Sequence, residues 1–172
     1  MQQGDSFGSG PYAEPNLLLR GVGKARFEEV EPGGGTAEPL VAASRAASFG
    51  DIDNDGGVDI LVVNRDGPAH LLRNVVPDRG HWILFRILDG HGRDAHNAKL
   101  SLRAGARSIV REVLPGSSYL SSNDPRVHIG LGEADAVTGV TVRWMDGNVE
   151  SFGSFSADQI VEIRRGKGQP LK

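Results

Sequence analysis

Four aspartates lie within the nine residues Asp51-Ile52-Asp53-Asn54-Asp55-Gly56-Gly57-Val58-Asp59, and no Lys or Arg interrupts them. Carboxylates held this close repel one another, so gathering them destabilises the fold unless a cation is bound. Ca²⁺ suits such a segment because it accepts several carboxylate and carbonyl oxygens in a flexible loop. The segment, called the Asp loop below, therefore predicts a calcium site, with a metal-free Asp/Gly-rich turn as the plain alternative.

Five residues are the expected ligands of this ion, four through carboxylate oxygens and one through its backbone carbonyl: Asp51, Asp53, Asp55, Asp59 and Gly57. Gly56 is expected to make the sharp turn, because glycine adopts positive φ at little cost. The loop is not an EF-hand, since Val62 stands where that motif requires a bidentate Glu. The flanking segments, 44–49 and 59–63, are short and lack a helical period, so we expect the loop to join two strands.

Composition indicates a β-rich chain and excludes several classes of site. Glycine occurs 24 times and proline 9 times in 172 residues, and long periodic segments are few, which favours short strands joined by turns. The net charge of −3, without a basic cluster, argues against a nucleic-acid partner. The absence of cysteine excludes disulfides and Cys-ligated metals, and no apolar stretch approaches the length of a membrane span.

The chain before the Asp loop is expected to start with a polar loop over residues 1–15. A hairpin follows, with strands at 16–21 and 26–30, and then a connector at 31–39. The segment Asn16-Leu17-Leu18-Leu19-Arg20-Gly21 resembles Ala69-His70-Leu71-Leu72-Arg73-Asn74, because both are Leu-Leu-Arg strands that end in a turn. Such a weak internal repeat is typical of propeller blades, which need neighbouring blades to bury their faces.

The residues around the Asp loop also resemble a known repeat. Phe49-Gly50-Asp51-Ile52-Asp53-Asn54-Asp55-Gly56-Gly57-Val58-Asp59-Ile60, followed by Leu61-Val62-Val63-Asn64, is similar to an FG-GAP/VCBS repeat. These repeats form blades of β-propellers and carry a calcium loop, so the resemblance implies Ca²⁺ at the four aspartates. Gly57 departs from the polar or acidic residue that is usual there. Residues 1–79 would then hold the end of one blade and one complete blade of an incomplete propeller.

From Gly80 onward, apolar and polar residues alternate in a series of short segments. Strands are expected at 81–88, 100–104, 106–114, 127–131, 140–144 and 161–163. Together with turns at 115–118 and at Asp146-Gly147, this patterning predicts a small β-sandwich or a barrel-like domain. We expect this domain to span residues 80–168 and a tail to follow at 169–172.

The same half resembles the ASPIC/UnbV domain in five motifs: Asn97-Ala98-Lys99-Leu100, Arg111-Glu112-Val113, Ser118-Tyr119-Leu120-Ser121, His128-Ile129-Gly130-Leu131-Gly132 and Val142-Arg143-Trp144-Met145-Asp146-Gly147. That domain typically follows FG-GAP repeats in secreted proteins of the cartilage-acidic-protein type and in bacterial relatives. The resemblance therefore implies an extracellular or periplasmic location. Asn97 and Met145-Asp146 depart from the usual family residues, and both changes keep a turn plausible.

Three groups of residues could form a functional site, but each also has an ordinary structural explanation. The histidines 81, 91, 96 and 128 match no zinc pattern, and loop or surface roles are the default. Serines 117–122 could supply the nucleophile of a Ser/His/Asp hydrolase, but the G-x-S-x-G elbow is missing. Trp82, Tyr119 and Trp144 could form a platform for sugar stacking, although such residues more often lie in a core.

The function expected from the sequence is a non-enzymatic, calcium-binding extracellular scaffold or binding module, a C-terminal fragment of a larger propeller protein. The first alternative is an adhesion module that binds a protein or glycan through the loops 89–97 and 115–125, and a hydrolase is the second. Expected partners are the remaining propeller blades, or a second copy that pairs with exposed strand edges. Neither a nucleic acid nor a membrane is expected as a partner.

Overall fold

A computed structural model describes residues 12–31 and 33–171 of the chain. The all-β prediction is confirmed for these residues, which form fifteen strands and a single short 3₁₀ segment at Gly33–Gly35. Of the polar loop predicted at 1–15, residues 1–11 lie outside the described part. Glu14–Pro15, by contrast, is a short strand.

The first seven strands precede Gly80: β1 (Glu14–Pro15), β2 (Leu19–Gly23), β3 (Arg26–Glu29), β4 (Val41–Ala42), β5 (Ser44–Gly50), β6 (Asp59–Asn64) and β7 (His70–Leu72). The other eight follow it: β8 (His81–Leu88), β9 (Lys99–Ala104), β10 (Arg107–Glu112), β11 (Val127–Gly132), β12 (Ala136–Arg143), β13 (Val149–Ser156), β14 (Gln159–Arg164) and β15 (Gln169–Leu171).

The strands before Gly80 pair into small antiparallel sheets. β2 and β3 form the predicted hairpin, and Lys24 and Ala25 take positive φ in its turn. β1 pairs with β4, while β5, β6 and β7 form a three-stranded sheet in that order. The Asp loop joins β5 to β6, with Gly50 opposite Asp59 where the two strands meet. The expected strand–loop–strand arrangement is therefore confirmed.

Two sheets that share one core form the C-terminal part of the chain. A five-stranded sheet has the order β10-β9-β12-β13-β15, and a three-stranded sheet has the order β11-β8-β14. The pairs are antiparallel except β14 with β8, which run parallel. Along β9 and β11 every residue on one face is buried or half-buried between the sheets, because successive side chains of a strand face opposite sides. The arrangement is sandwich-like, as one of the two predicted architectures requires.

The core between the two sheets is continuous and apolar. Ile83, Phe85 and Ile87 of β8 reach it from one sheet, and Leu100 and Val142 reach it from the other. Each of these side chains is at most 1% exposed. The aromatic ring of Phe85 also meets Phe155 edge-on, with ring centroids 5.8 Å apart. Burial of this kind contributes about 1.5–3 kcal/mol per large side chain to the stability of the fold, so packing between the two sheets stabilises both.

The end of the chain departs from the sequence prediction in two places. β13 was not predicted, because its sequence Val-Glu-Ser-Phe-Gly-Ser-Phe-Ser is rich in serine and is broken by Gly153 at positive φ. The segment assigned to a tail includes Gln169–Leu171, which is an edge strand paired with β13. The buried carboxylate of Glu150 in β13 holds the turn before β15 against β13, because it accepts N–H hydrogen bonds from Gly166 and Gly168 at 3.0–3.1 Å.

The outer face of the three-stranded sheet positions the Asp loop. His128 of β11 is paired with Leu84 of β8, and Gly130 is paired with Trp82, so these residues share the face opposite the core. Leu84 is 1% exposed although it lies outside the core cluster. It lines a cavity of about 220 Å³ together with Val58 of the Asp loop. One face of this sheet therefore packs on the core while the other meets the loop.

Candidate metal centre

Two buried carboxylates organise the Asp loop. Asp51 is 1% exposed, and its two oxygens accept the N–H groups of Asp55 and Gly56 at 3.1 and 3.0 Å. Asp59 is 2% exposed, and its oxygens accept the N–H groups of Ile52 and Asn74 at 3.0 and 2.8 Å. The loop therefore closes on its own carboxylates, in the way that Asp side chains stabilise turns. Each carboxylate keeps lone pairs beyond those used by the N–H groups.

The remaining two aspartates face arginines. Asp53 pairs with Arg73 at the end of β7. Asp55 accepts the N–H of Gly57 at 2.8 Å and pairs with Arg79 at 3.1 Å. The hydrogen bond from Gly57 lowers the pKa of the Asp55 carboxyl, and the Arg79 guanidinium lowers it further. The loop thus divides into buried carboxylates without an ion pair among the described residues and more exposed ones with a pair.

Three of the predicted ligands lie close enough to share one ion. Ligand oxygens of Asp51, Asp53 and Asp59 all lie within 4.8 Å of one another. Two oxygens bound to the same Ca²⁺ at about 2.3–2.6 Å are at most about 5.2 Å apart, so this spacing fits. The chemistry also fits, because all three donors are hard carboxylate oxygens. Asp55 lies outside the group, turned toward Arg79, and the Gly57 carbonyl stays a prediction.

The turn glycine of the loop is required for two reasons. Gly56 has a φ of 87°, as its sequence position predicted. A Cβ at this residue would also lie 2.2 Å from Nε1 of Trp82 and 2.3 Å from its neighbouring ring carbon. The indole of Trp82 stacks on the imidazole of His128, with the two planes 8° apart. The backbone of the loop therefore rests directly on two aromatic rings of the C-terminal sheet.

Arg126, just before β11, makes the most extensive contact with the loop. Its Nη2 donates to the backbone oxygen of Asp51 at 2.6 Å, and its Nη1 donates to the Asn54 side chain at 2.6 Å. Asp124 holds the same guanidinium through Nε at 2.7 Å and Nη2 at 2.6 Å. His128 adds a hydrogen bond from Nε2 to the carbonyl oxygen of Gly56 at 2.8 Å. The loop is thus held by side chains more than seventy residues away in sequence.

The edge of β5 is also covered from the C-terminal half. The N–H of Phe49 donates to the Asn123 side chain at 3.0 Å, and its carbonyl accepts the N–H of Asp124 at 2.9 Å. Ser121 Oγ donates to the carbonyl of Ala47 at 2.9 Å. The segment 121–124 therefore pairs along β5, the strand that leads into the Asp loop. This part of the 115–125 loop, which was predicted to bind a partner, is engaged with the chain itself.

The other predicted constellations are not assembled in the described residues. Ser121 and His128 bond to different carbonyls, those of Ala47 and Gly56, rather than to each other. His81 Nδ1 instead pairs with Asp158 at 2.6 Å, and this bond lowers the pKa of the Asp158 carboxyl. Trp144 is 3% exposed in the core, whereas Tyr119 is 73% exposed and Trp82 faces the Asp loop. They form no common platform.

Sequence reasoning missed the residues that hold the loop. His128 was assigned a surface role, and Arg126 was assigned no role. Alternation with Val127 and Ile129 separates the core side from the other side. It contains no information about which element covers the other side. Paired apolar neighbours such as Leu84 were the one available signal that the outer face is not wholly exposed.

The C-terminal half, with its paired sheets and the motifs at 97–100 and 142–147, is similar to known proteins. Residues 89–170 match the family model described as ASPIC and UnbV. This confirms the family resemblance for the C-terminal half. The matched ASPIC and UnbV region begins directly after β8 and includes Arg126, His128 and Asp124. The FG-GAP/VCBS resemblance of the Asp loop stays a prediction.

The chain is also similar to cartilage acidic protein 1 of three animals. It is 29% identical to the Homo sapiens protein and 28% identical to the Mus musculus protein, in each case over 157 residues. These alignments cover 86% of this chain and 23% of each relative. The Xenopus tropicalis protein is 30% identical over 129 residues, which are 72% of this chain and 19% of the relative.

This similarity extends beyond the ASPIC and UnbV region. An alignment over 86% of the chain necessarily includes the Asp loop, which lies well inside both ends. The chain nevertheless spans less than a quarter of the length of these curated relatives. In the described residues, no helix has the length and apolarity needed to cross a membrane.

Proposed function

We propose that this chain is a calcium-binding, non-enzymatic module of an extracellular or periplasmic protein. In this proposal residues 1–79 belong to an FG-GAP/VCBS β-propeller and residues 80–168 form the ASPIC/UnbV domain. The observation that carries the calcium assignment is the pair of buried carboxylates, Asp51 and Asp59, next to Asp53. Neither buried carboxylate has a Lys or Arg ion pair among the described residues. Cartilage in the name of the relatives agrees with an extracellular location.

The ion would supply charge neutralisation inside the loop rather than chemistry on a substrate. Asp51 and Asp59 would bind it with the oxygen lone pairs that their hydrogen bonds leave free. Asp53, whose carboxylate already lies beside theirs, would complete the group. The residues around the site bind and orient the loop backbone, and no nucleophile–base pair accompanies them among the described residues. This supports a structural role for the cation.

The exposed apolar side chains of the N-terminal strands support the proposal that other protein covers them. Leu17, Phe27 and Leu71 are each about half exposed or more. Further propeller blades, or a second copy of the chain pairing with an open strand edge, would bury such residues. A separate protein or glycan partner is the alternative occupant.

Calcium binding is tested by thermal unfolding and calorimetric titration of the full chain. With a Kd of about 10⁻⁴–10⁻³ M, as in extracellular sites, about 1 mM Ca²⁺ adds about 1 kcal/mol to the free energy of unfolding. We expect the Tm to rise by about 2–4 °C and to return to its starting value with EDTA. An unchanged Tm together with no heat of binding would overturn the assignment.

Two variants change the affinity in opposite directions. Asp53→Ala removes a ligand that is exposed at the loop surface, so we expect weaker Ca²⁺ binding with little change in the metal-free Tm. Arg73→Gln removes the cation that competes for Asp53, and the affinity should rise by up to about fivefold, the equivalent of 1 kcal/mol. Asp66→Ala, at an exposed aspartate outside the group, is the matched control. If all three bind Ca²⁺ like the parent, the ion is bound elsewhere.

A further inference from the structure

Among the side chains of the ASPIC and UnbV region, Arg126 makes two hydrogen bonds to the Asp loop, and His128 makes one. We propose that Arg126 is the positioning residue that couples cation binding in the Asp loop to docking of the loop on the C-terminal sheet. The inference rests on the proposed calcium function and adds a regulation of that site. It predicts that the ion and the contact between the two halves stabilise each other.

The geometry of Arg126 suits a fixed link. Three hydrogen bonds of 2.6–2.7 Å surround the guanidinium, one with Asp124 and two with the loop, and Nη2 also lies 2.6 Å from the same Asp124 oxygen as an ion pair. The side chain is 22% exposed, and the side chain of its partner Asp124 is 18% exposed. The guanidinium of an arginine stays protonated in proteins, so its charge is permanent. Charge-assisted contacts at this distance and burial are stronger than those at an open surface.

Asp51 links the candidate ion site to Arg126, because one residue takes part in both. Its buried carboxylate belongs to the candidate ligand group, while its backbone oxygen accepts Nη2 of Arg126. Asn54, the second loop residue held by Arg126, has a φ of 61° between two aspartates of the loop. The loop conformation that brings the carboxylates together is therefore the one that Arg126 recognises. Linkage then requires that docking strengthens ion binding and that the ion strengthens docking by the same factor.

The charge of Arg126 and its contact geometry have opposite effects on the Ca²⁺ affinity, so a variant can separate them. A positive guanidinium close to a cation site repels the ion, so an effect of charge alone would make loss of Arg126 strengthen Ca²⁺ binding. A positioning effect weakens binding when the two-pronged contact is lost. Lys keeps the charge but cannot reproduce the planar arrangement of donors. Arg126→Lys therefore isolates the geometry.

The contact at Arg126 is also connected to β5, the strand that leads into the Asp loop. Asp124 anchors Arg126 with its side chain, and its N–H pairs with the carbonyl of Phe49 in β5. Loosening the Asp loop therefore loosens the pairing of 121–124 with β5. We expect Ca²⁺ to protect the amides of the loop and the amide of Asp124, and to leave amides of the opposite sheet unaffected.

The experiment is a calorimetric Ca²⁺ titration of the full chain and of Arg126→Lys, Arg126→Gln and Asp124→Asn. We expect each variant to bind Ca²⁺ at least about fivefold more weakly, the lower end of typical coupling between sites. Arg103→Lys, on an exposed residue of β9, is the matched control and should bind like the parent. Hydrogen exchange of the Asp55, Gly56 and Asp124 amides is then compared with and without Ca²⁺ in the parent and in Arg126→Lys.

The possible outcomes separate the two proposals. Parent-like or tighter binding in Arg126→Lys and Asp124→Asn overturns the coupling and leaves the calcium function standing. A parent chain that binds no Ca²⁺ overturns the calcium function, and the coupling with it. Weaker binding in the variants, accompanied by loss of the Ca²⁺-dependent protection at Asp124, supports the coupling. If circular dichroism shows that Arg126→Lys or Asp124→Asn is unfolded, the comparison uses the other of these two variants.

Discussion

The strands after Gly80 bury their apolar side chains against one another, whereas the strands before it leave most of theirs in solvent. Val62 is the only buried hydrophobic residue before Trp82 in the described part of the chain. The most buried side chains described in the N-terminal region (residues 12–79) are instead those of Asp51 and Asp59. One region is thus held by a hydrophobic core, and the other by carboxylates, backbone N–H groups and contacts with its neighbour.

Stability is therefore distributed unevenly along the chain. A hydrophobic core contributes non-directional stabilisation in proportion to the area buried, so its strands form a cooperative unit. Polar networks stabilise only while every partner stays in position, because an unpaired buried carboxylate is costly. We therefore expect the N-terminal region to open at lower free energy than the sandwich. The Asp loop, which contacts Trp82 and His128, joins the polar network of the N-terminal region to the sandwich.

The largest expected effect tests the core directly. Phe85→Ala removes a fully buried ring and should cost about 3–5 kcal/mol of unfolding free energy. Phe27→Ala, at a residue 67% exposed in the β2–β3 hairpin, should change it by less than about 0.5 kcal/mol. Urea denaturation followed by tryptophan fluorescence measures this, since both tryptophans, Trp82 and Trp144, lie in the C-terminal half. Equal costs for the two variants would mean that the regions share one core.

An intermediate effect is expected at the contact between the regions. Gly56→Ala places a Cβ against the Trp82 indole at a positive φ, so undocking of the loop should become easier by at least about 2 kcal/mol. Gly105→Ala, in the β9–β10 turn, has a positive φ of 55° but meets no atom within 4 Å, so the change in its free energy of unfolding gives the backbone cost alone. Hydrogen exchange of the Asp55 and Gly56 amides reports the opening. The idea that the loop rests on the indole fails if exchange of these loop amides is as slow in Gly56→Ala as in Gly105→Ala.

The smallest expected effect concerns an acidic turn that needs no help from the other region. The N–H of Arg93, with further contacts to its side chain and to the N–H of His91, lowers the pKa of Asp89 to about 2. Because this value lies below the ordinary one of about 3.9, the turn gains stability above about pH 4 and loses it as the pH falls through about 2. Carbon NMR titration of the Asp89 carboxyl measures the midpoint. A midpoint near 4 would show that the turn makes no such contacts in solution.

Local chemistry along the chain was predictable at several points. Gly56 was assigned a sharp turn from its position among aspartates, and it has the expected positive φ. The segments 81–88 and 127–131, both predicted as strands, are β8 and the larger part of β11. β13 was not predictable in this way, because Phe152 and Phe155 are separated by glycine and serine without a period of two. Its pairing is set by β12 on one side and β15 on the other, and neither partner is visible from its own sequence.

The candidate site divides in the same manner. The sequence alone determined that carboxylates crowd into one loop between two strands, because this follows from nine consecutive residues. Which of them come together depends on the fold, since Asp53 and Asp59 join Asp51 while Asp55 turns to Arg79. Only the tertiary structure, likewise, brought Arg126 and His128 to the loop backbone. Charge repulsion and turn geometry act between near neighbours in the chain. The partner of a polar strand face depends on how separate sheets pack, which no local pattern encodes.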